Sequence, residues 1–286
     1  MDQLKRMRDY REARPTIPTY ESAATDGNRP VLWSFLSGKG GVGKSILSGI
    51  IALQLSRMGY KTLFVDMDFS LPGAHLQFNL DNFIDPEVVL AQAAMESDFM
   101  ASEIANLDVF VMQPQSEPAN AKAIHCLDSI LQNMASAYDF ILLDATTGFG
   151  EQHRRFSRRI DLATVVSTPD PASITNAYAL IKMIKMHFPH LHVNIAMNRA
   201  QSLEEASDGF GKLNLIVEHF LRFNAPLLCS LNEEKKIKEM LQESWPLQKW
   251  PQNLAVFQEA QHILEQLAPQ LQPSPLMLLN SAKAIA

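Results

Sequence analysis

Hydrophobic residues first gather into a sustained pattern at Val31. Val31–Leu36 is an apolar run that leads into a glycine-rich turn. Ser45–Met58 follows, with Ile46, Ile50, Leu53 and Leu55 at roughly helical spacing. Gly59 then supplies a helix stop. The alternation repeats. Lys61–Asp66, Leu107–Met112, Phe140–Asp144, Leu162–Ser167, His192–Met197 and Leu227–Leu231 read as strands, with helices at Ala119–Ala135, Ala172–His187 and Leu213–Phe223. Phe140–Asp144 shows almost no polar alternation, the mark of a strand covered on both faces. Repeated strand–helix units predict an α/β fold, a mostly parallel sheet with helices on both faces.

The flanks differ from this core. Residues 1–30 mix charges with Pro15, Pro18 and Gly27 and hold no sustained apolar period, so they read as a flexible arm. A short turn there would place Leu4 and Met7 on one face. After Glu233 the pattern gives a helix, a loop at Trp245–Pro251 and a helix from about Asn253 to Leu267. This reads as a helical layer packed on the sheet, with Trp245 and Trp250 as packing anchors. The expected organisation is an arm (1–30), one α/β domain (31–270) and a tail (271–286).

Composition narrows the class. The chain has 286 residues, 47% of them hydrophobic, enough for one large core. No run of eighteen apolar residues appears, and the charged N-terminus lacks an apolar signal segment. Cys126 and Cys229 form no CxxC pair, which argues against a disulfide, a zinc site or an iron–sulfur carrier and fits a reducing cytoplasm. A net charge of −6 implies no global grip on nucleic acid. His187, His190 and His192 bridge a helix end and a strand around Pro189 and read as surface residues rather than metal ligands.

The strongest chemical signal is Gly38-Lys39-Gly40-Gly41-Val42-Gly43-Lys44-Ser45, with Ile46 beginning the helix behind it. It satisfies G-x-x-x-x-G-K-[ST] between a strand and a helix, the phosphate-loop context. Glycines let backbone N–H groups turn toward a polyphosphate, and the helix dipole adds to them. Lys44 would neutralise phosphate charge, and the Ser45 hydroxyl would ligate Mg²⁺. Asp66 and Asp68 end the second strand, at the sheet edge that faces a ligand crevice. Ile141-Leu142-Leu143-Asp144 is an apolar strand ending in Asp, the Walker B pattern, and Asp144 would hold Mg²⁺ through a water. Ala145–Gly150 would be switch II, with Gly148 able to bend around the γ-phosphate.

The second lysine of the glycine string, Lys39, resembles the signature lysine of the MinD/ParA family of deviant Walker A ATPases. The resemblance covers about Val31 to Arg199. It implies an ATP-dependent homodimer in which Lys39 touches the partner's ATP and acts with Lys44 on the transferred phosphoryl group. It further implies that Asp68 orients the attacking water, that Asp66 supports Mg²⁺ and that Asn198 reads the adenine edge. The stretch Ser167-Thr168-Pro169-Asp170-Pro171-Ala172-Ser173-Ile174-Thr175-Asn176 is similar to the FlhG (FleN) branch, MinD-like ATPases of flagellar number and placement. Asp2-Gln3-Leu4-Lys5-Arg6-Met7-Arg8 resembles that branch's activator arm, with Met7 where leucine is usual. By resemblance, Asp2, Gln3, Met7 and Arg8 would engage an FlhF-type GTPase, with Gln3 stimulating it. A flagellar transcription regulator or a switch-complex protein are further implied partners.

Departures are visible. Asp66 and Asp68 match the family's switch I, which continues here as Ser70-Leu71-Pro72-Gly73, and Asp144-Ala145-Thr146-Thr147-Gly148 lacks the proline of MinD. The family's C-terminal membrane helix usually carries a basic face. Asn253–Leu267 has no Lys or Arg, and the tail offers Leu276, Met277, Leu279 and Ile285 with Lys283 as its cation. A cytoplasmic protein is expected, with peripheral attachment at the inner membrane face or cell pole as an extension. Two alternatives stand beside the switch: a P-loop enzyme acting on a small metabolite, and a ParA-like partitioning ATPase, which the acidic pI of about 5.8 disfavours.

Overall fold

The computed structural model describes residues 29–81, 83–85, 103–114, 120–133, 135–268 and 270–271. Seven strands run in parallel: β1 (Val31–Ser37), β2 (Thr62–Asp66), β3 (Leu107–Phe110), β4 (Phe140–Thr147), β5 (Leu162–Ser167), β6 (His192–Ala200) and β7 (Leu227–Asn232). They form one sheet in the order β3-β2-β4-β1-β5-β6-β7. The helices are α1 (Lys44–Arg57), α2 (Ala74–Phe78), α3 (Asn120–Asn133), α4 (Glu151–Phe156), α5 (Pro171–His187), α6 (Leu203–Leu221), α7 (Lys235–Gln242) and α8 (Ala255–Leu267).

Strand alternation sorts the core onto two faces. Val31, Trp33 and Phe35 of β1 point to the face covered by α1 and α8, where Leu53, Phe257 and Leu264 close the packing. Leu32 and Leu36 point to the other face, covered by α3 near β2 and by α5 and α6 near β5 and β6. Central β1 is therefore apolar throughout and buried along its whole length. The polar atom of Trp33 is satisfied inside: its indole N–H donates to the Thr164 hydroxyl at 2.8 Å.

Most expected elements stand within a few residues of their places, and four details differ. First, α6 begins at Leu203 rather than Leu213. Ser202 caps its N-terminus by accepting from the Glu205 N–H at 3.1 Å, and Glu205 accepts in return from the Gln201 N–H at 2.5 Å. Gly209, which obscures the helical period, lets α6 press on Met197 and Pro169. Second, α2 and α4 are short helices with no period to read. Third, β4 continues to Thr147, so the first half of the expected switch II is strand. Fourth, Trp250 is buried whereas Trp245 is 44% exposed, so one tryptophan anchors the loop. The backbone carbonyl of Trp245 accepts the Trp250 indole N–H at 2.9 Å. The α8 helix buries Val256, Phe257, Ala260, Ile263, Leu264 and Leu267. Residues 1–28 of the arm, with Asp2, Gln3, Met7 and Arg8, lie outside the described residues, as do Leu276, Met277, Leu279, Lys283 and Ile285. Among the described residues no helix is long and apolar enough to cross a membrane.

Substituting Thr164→Val should leave the Trp33 N–H buried without an acceptor and cost about 1–3 kcal/mol in urea unfolding. A loss below about 0.5 kcal/mol would mean that this hydrogen bond contributes little.

Candidate functional site

All seven strands point their carboxyl ends the same way, and the chain order reverses beside β1. Ligands of open parallel sheets bind at such an edge. There the β1–α1 turn, the ends of β2 and β4, the end of β6 and the β7–α7 connection enclose a cleft of about 490 Å³. Gly40, Gly41, Val42, Gly43, Lys44, Ser45 and Ile46 line it, as do Asp66, Asp68, Asp144 and Asn198.

The glycine string folds as its spacing requires. Gly43 takes a left-handed φ of 87° as the N-cap of α1. A Cβ on Gly43 would come within 2.2 Å of Asn198 Nδ2, so glycine is demanded twice over. Gly38 instead meets the first turns of α5, where a Cβ would lie 2.4 Å from the Asn176 carbonyl. Gly38 thus seats the loop on α5 and does not line the cleft.

Charge is concentrated at the strand ends. Asp66 and Asp144 are register partners on β2 and β4, and both are buried. Lys44 Nζ lies 2.6 Å from Asp144 Oδ1 and 3.1 Å from Ser45 Oγ. Ser48 Oγ adds a donor to the same carboxylate oxygen at 3.1 Å. Burial, then the charge of Asp144, pushes the Asp66 carboxyl up to about 6, against the pull of backbone donors. Those donors are the N–H groups of Asp68, Gly73 and Ala74, at 2.9, 2.7 and 2.9 Å. Asp68 accepts from the Leu71 N–H at 3.0 Å. The two switch I carboxylates therefore also shape their own loop.

Hydroxyl and carboxylate oxygens that already converge on the Lys44 ammonium are hard donors of the kind Mg²⁺ takes. The donor set of Ser45, Asp66 and Asp144 fits a Mg²⁺–nucleotide, and a bound polyphosphate would compete with Asp144 for Lys44.

Lys39 sits apart from the cleft of its own chain. Its Nζ lies 3.2 Å from Asp170 Oδ1, and its side chain is 45% exposed. The pair borders a second groove of about 460 Å³ that also includes Thr168, Gln201 and Glu205. Asp170 also caps α5 by accepting from the Ser173 N–H at 3.0 Å.

Asn198 lines the cleft, and half of its amide is already engaged. Nδ2 donates to the Val42 carbonyl at 2.8 Å, and Oδ1 accepts from the Arg199 N–H at 2.9 Å. Sequence reasoning missed the wall beyond it. Leu231, Asn232, Glu233, Ile237, Lys238 and Leu241 close that side, and they come from β7, α7 and the connection between them. It also missed His153. This side chain is buried, accepts from the Gly150 N–H through Nδ1 at 3.1 Å, and faces the Phe149 ring at 5.9 Å. Burial, then the nearby charge of Lys44, lowers its pKa to about 4. A histidine three residues into a helix behind Gly-Phe-Gly carries no sequence signal of this.

A strand, phosphate loop and helix facing a neighbouring strand-end aspartate define a P-loop NTPase. The ParA family model, described as NUBPL iron-transfer P-loop NTPase, matches residues 31–268, and the chain belongs to that family. Among curated relatives, antiactivator FleN of Pseudomonas aeruginosa is 25% identical over 223 residues, 72% of this chain and 75% of FleN. Flagellum site-determining protein YlxH of Helicobacter pylori is 30% identical over 150 residues, 51% of this chain and 51% of YlxH. Among solved structures, the septum site-determining protein MinD complexed with Mg-ADP from Pyrococcus horikoshii has a TM-score of 0.64 at 21% identity. It covers 84% of this chain and 97% of that one, and it shares the fold.

The histidine makes a pH prediction. Its folded pKa lies below the unfolded value of about 6.5, so its stabilisation is complete above that value and is lost as pH falls toward 4. Between pH 7.5 and pH 5 this one group should cost about 2 kcal/mol of unfolding free energy. Glutamine at N3 can still accept from the cap N–H. His153→Gln should therefore lose about 2 kcal/mol less than wild type over that interval in urea titrations at the two pH values. Equal losses would exclude His153 as the source.

Proposed function

We propose that this chain is an ATP-dependent dimerisation switch that hydrolyses ATP slowly and regulates flagellar number or placement. The observation that carries this reading is Lys39: it completes the deviant phosphate-loop string, yet it stands outside its own cleft and half-exposed beside it. A lysine in that position can serve a second chain's nucleotide, where an added cation stabilises charge developing on the transferred phosphoryl group. The likeness to FleN and YlxH, two proteins named for flagellar roles, supports the flagellar assignment.

In this reading the backbone of 40–45 cradles the phosphates, and Lys44 moves its charge from Asp144 to the β/γ-phosphates. Ser45, Asp66 and Asp144 would hold Mg²⁺, which when bound would supply neutralisation of phosphate charge. Asp68 leaves the Leu71 N–H and orients the attacking water, which needs alignment more than a strong base. Asn198 has one amide hydrogen and one lone pair left for adenine. ATP would order both switches and favour a two-fold dimer, and hydrolysis would release it. The N-terminal arm, through Gln3, would stimulate an FlhF-type GTPase, while the dimer presents surfaces to a flagellar transcription regulator or switch-complex protein. An iron-carrier role has less support, because both cysteines are free and buried, and burial pushes the Cys126 thiol up to about 12.

Size-exclusion light scattering should show a monomer with Mg·ADP and a dimer with Mg·ATP when turnover is slowed by Asp68→Ala. Adding Lys39→Ala should abolish the ATP-dependent dimer. A monomer in both nucleotide states would sink the switch. Separately, Gln3→Ala should remove stimulation of FlhF GTP hydrolysis and leave ATP-dependent dimerisation intact; undiminished stimulation would refute the role given to the arm.

A further inference from the structure

The end of β6 holds the phosphate loop from behind. Pairing between β6 and β7 slips between Met197 and Ala200, which frees residues 198–199 to turn toward the loop. Asn198 Nδ2 donates to the Val42 carbonyl at 2.8 Å, and Arg199 Nη1 donates to the Gly41 carbonyl at 2.5 Å. Arg199 does this from a left-handed backbone, φ 56°, a conformation uncommon for a residue with a side chain. Its Nε and Nη2 donate to Glu233 Oε1 at 2.9 and 2.8 Å. Glu233 Oε2 accepts from Lys238 Nζ at 2.9 Å and from Gln201 Nε2 at 3.3 Å. The Arg199 fork therefore has one prong on the phosphate loop and two on a fixed carboxylate at the start of the α7 wall.

The two pinned carbonyls have a direct geometric consequence. In a trans peptide the C=O and the N–H of the same plane point in opposite directions. Drawing the Gly41 and Val42 carbonyls toward β6 turns the N–H groups of Val42 and Gly43 away from β6, toward the loop interior. Those are donors of the kind that bind a polyphosphate. We propose that Arg199 is a positioning residue for nucleotide binding: tied down by Glu233, it sets the Gly41–Val42 peptide so that the loop's N–H groups are aimed before phosphate arrives. This rests on the cleft's being the nucleotide site, and it adds a residue to which no role in that site has been given. Bidentate anchoring explains why arginine rather than lysine suits the position, since an ammonium lacks the planar fork.

The test separates positioning from folding. Arg199→Gly removes the guanidinium and relieves the left-handed backbone, so unfolding of the nucleotide-free chain should change little or improve. Binding of Mg·ADP and Mg·ATP, measured by calorimetry, should weaken roughly tenfold or more, as expected for loss of a charge-assisted hydrogen bond plus preorganisation. Amides of residues 38–46 should exchange hydrogen faster in the nucleotide-free variant, a readout that a merely structural role elsewhere would not move. Arg199→Lys should recover part of the affinity, and Glu233→Gln should weaken binding less than Arg199→Gly. If Arg199→Gly binds both nucleotides as wild type does, the inference is overturned. If it does not fold, Arg199→Lys decides in its place, and wild-type affinity there overturns the inference equally. Failure of the wild type to bind Mg·ADP would instead overturn the nucleotide reading on which this rests.

Discussion

The contact between Lys44 and Asp144 governs the chemistry of this fold. Parallel pairing of β2 with β4 sets Asp66 beside Asp144 at the carboxyl edge, both buried. Two carboxylates so placed repel, and burial raises the cost of their charge. The side chain of Lys44 is 10% exposed and that of Asp144 6%, so solvent screens the pair weakly. One ammonium between Asp144 and Ser45 offsets a charge excess that the sheet's topology imposes. The same imbalance makes the cleft receptive to a cation, and the lysine that answers it without ligand is the residue a polyphosphate would draw away. Binding of a polyphosphate at this edge would therefore be an exchange of charge partners, beside loops that the same carboxylates hold.

The loop after β2 is tied to this edge through Asp66. Its carboxylate accepts the N–H groups of Asp68, Gly73 and Ala74, so the loop from 67 to 74 is gathered onto a group that also faces the cleft. The turn after β4 lies on the other side. Phe149 stacks near His153 of α4 at 5.9 Å and near His187 of α5 at 6.3 Å. Movement of the Gly148–Gly150 turn would disturb the ring contacts of Phe149 with His153, His187 and Phe188 and the cap of α4 together. Packed cores shift between discrete arrangements more readily than they deform by degrees, so these contacts suit a two-state element.

Much of this was legible in the sequence because its signals are local or periodic. Apolar runs marked the seven strands, and β5 begins and ends where the pattern predicts. Residues 40–46 of the glycine string, Asp66, Asp68, Asp144 and Asn198 meet at one cleft because each stands at or just beyond a strand end of a parallel sheet. The parts that were not legible share a different cause. The start of α6 depends on a cap and a buried glycine that break the apolar period. The Arg199–Glu233 contact joins residues 34 positions apart, and no spacing rule connects them. His153 differs from a surface histidine through its burial, which is a property of the packed chain. Lys39 was readable as a signature, but its place outside the cleft follows from how Gly38 seats the loop against Asn176.

That seating gives the phosphate loop two working sides. Its inner side faces the cleft with Lys44 and Ser45, while its outer side presents Lys39 to Asp170 at the α5 N-cap. Arg199 and Glu233 border both spaces, so one ionic contact forms the partition between them. Because the loop's two faces are a single peptide backbone, a nucleotide-dependent change at the cleft would need no long chain of intermediates to reach the outer groove. A dimer that places a second chain against the outer groove would therefore meet a surface already set by what the cleft holds. Coupling of this kind needs a differential contact in each state rather than distance alone: Lys39 pairs with Asp170 within the chain, and in the proposed dimer it would exchange that partner for a phosphate of the second chain.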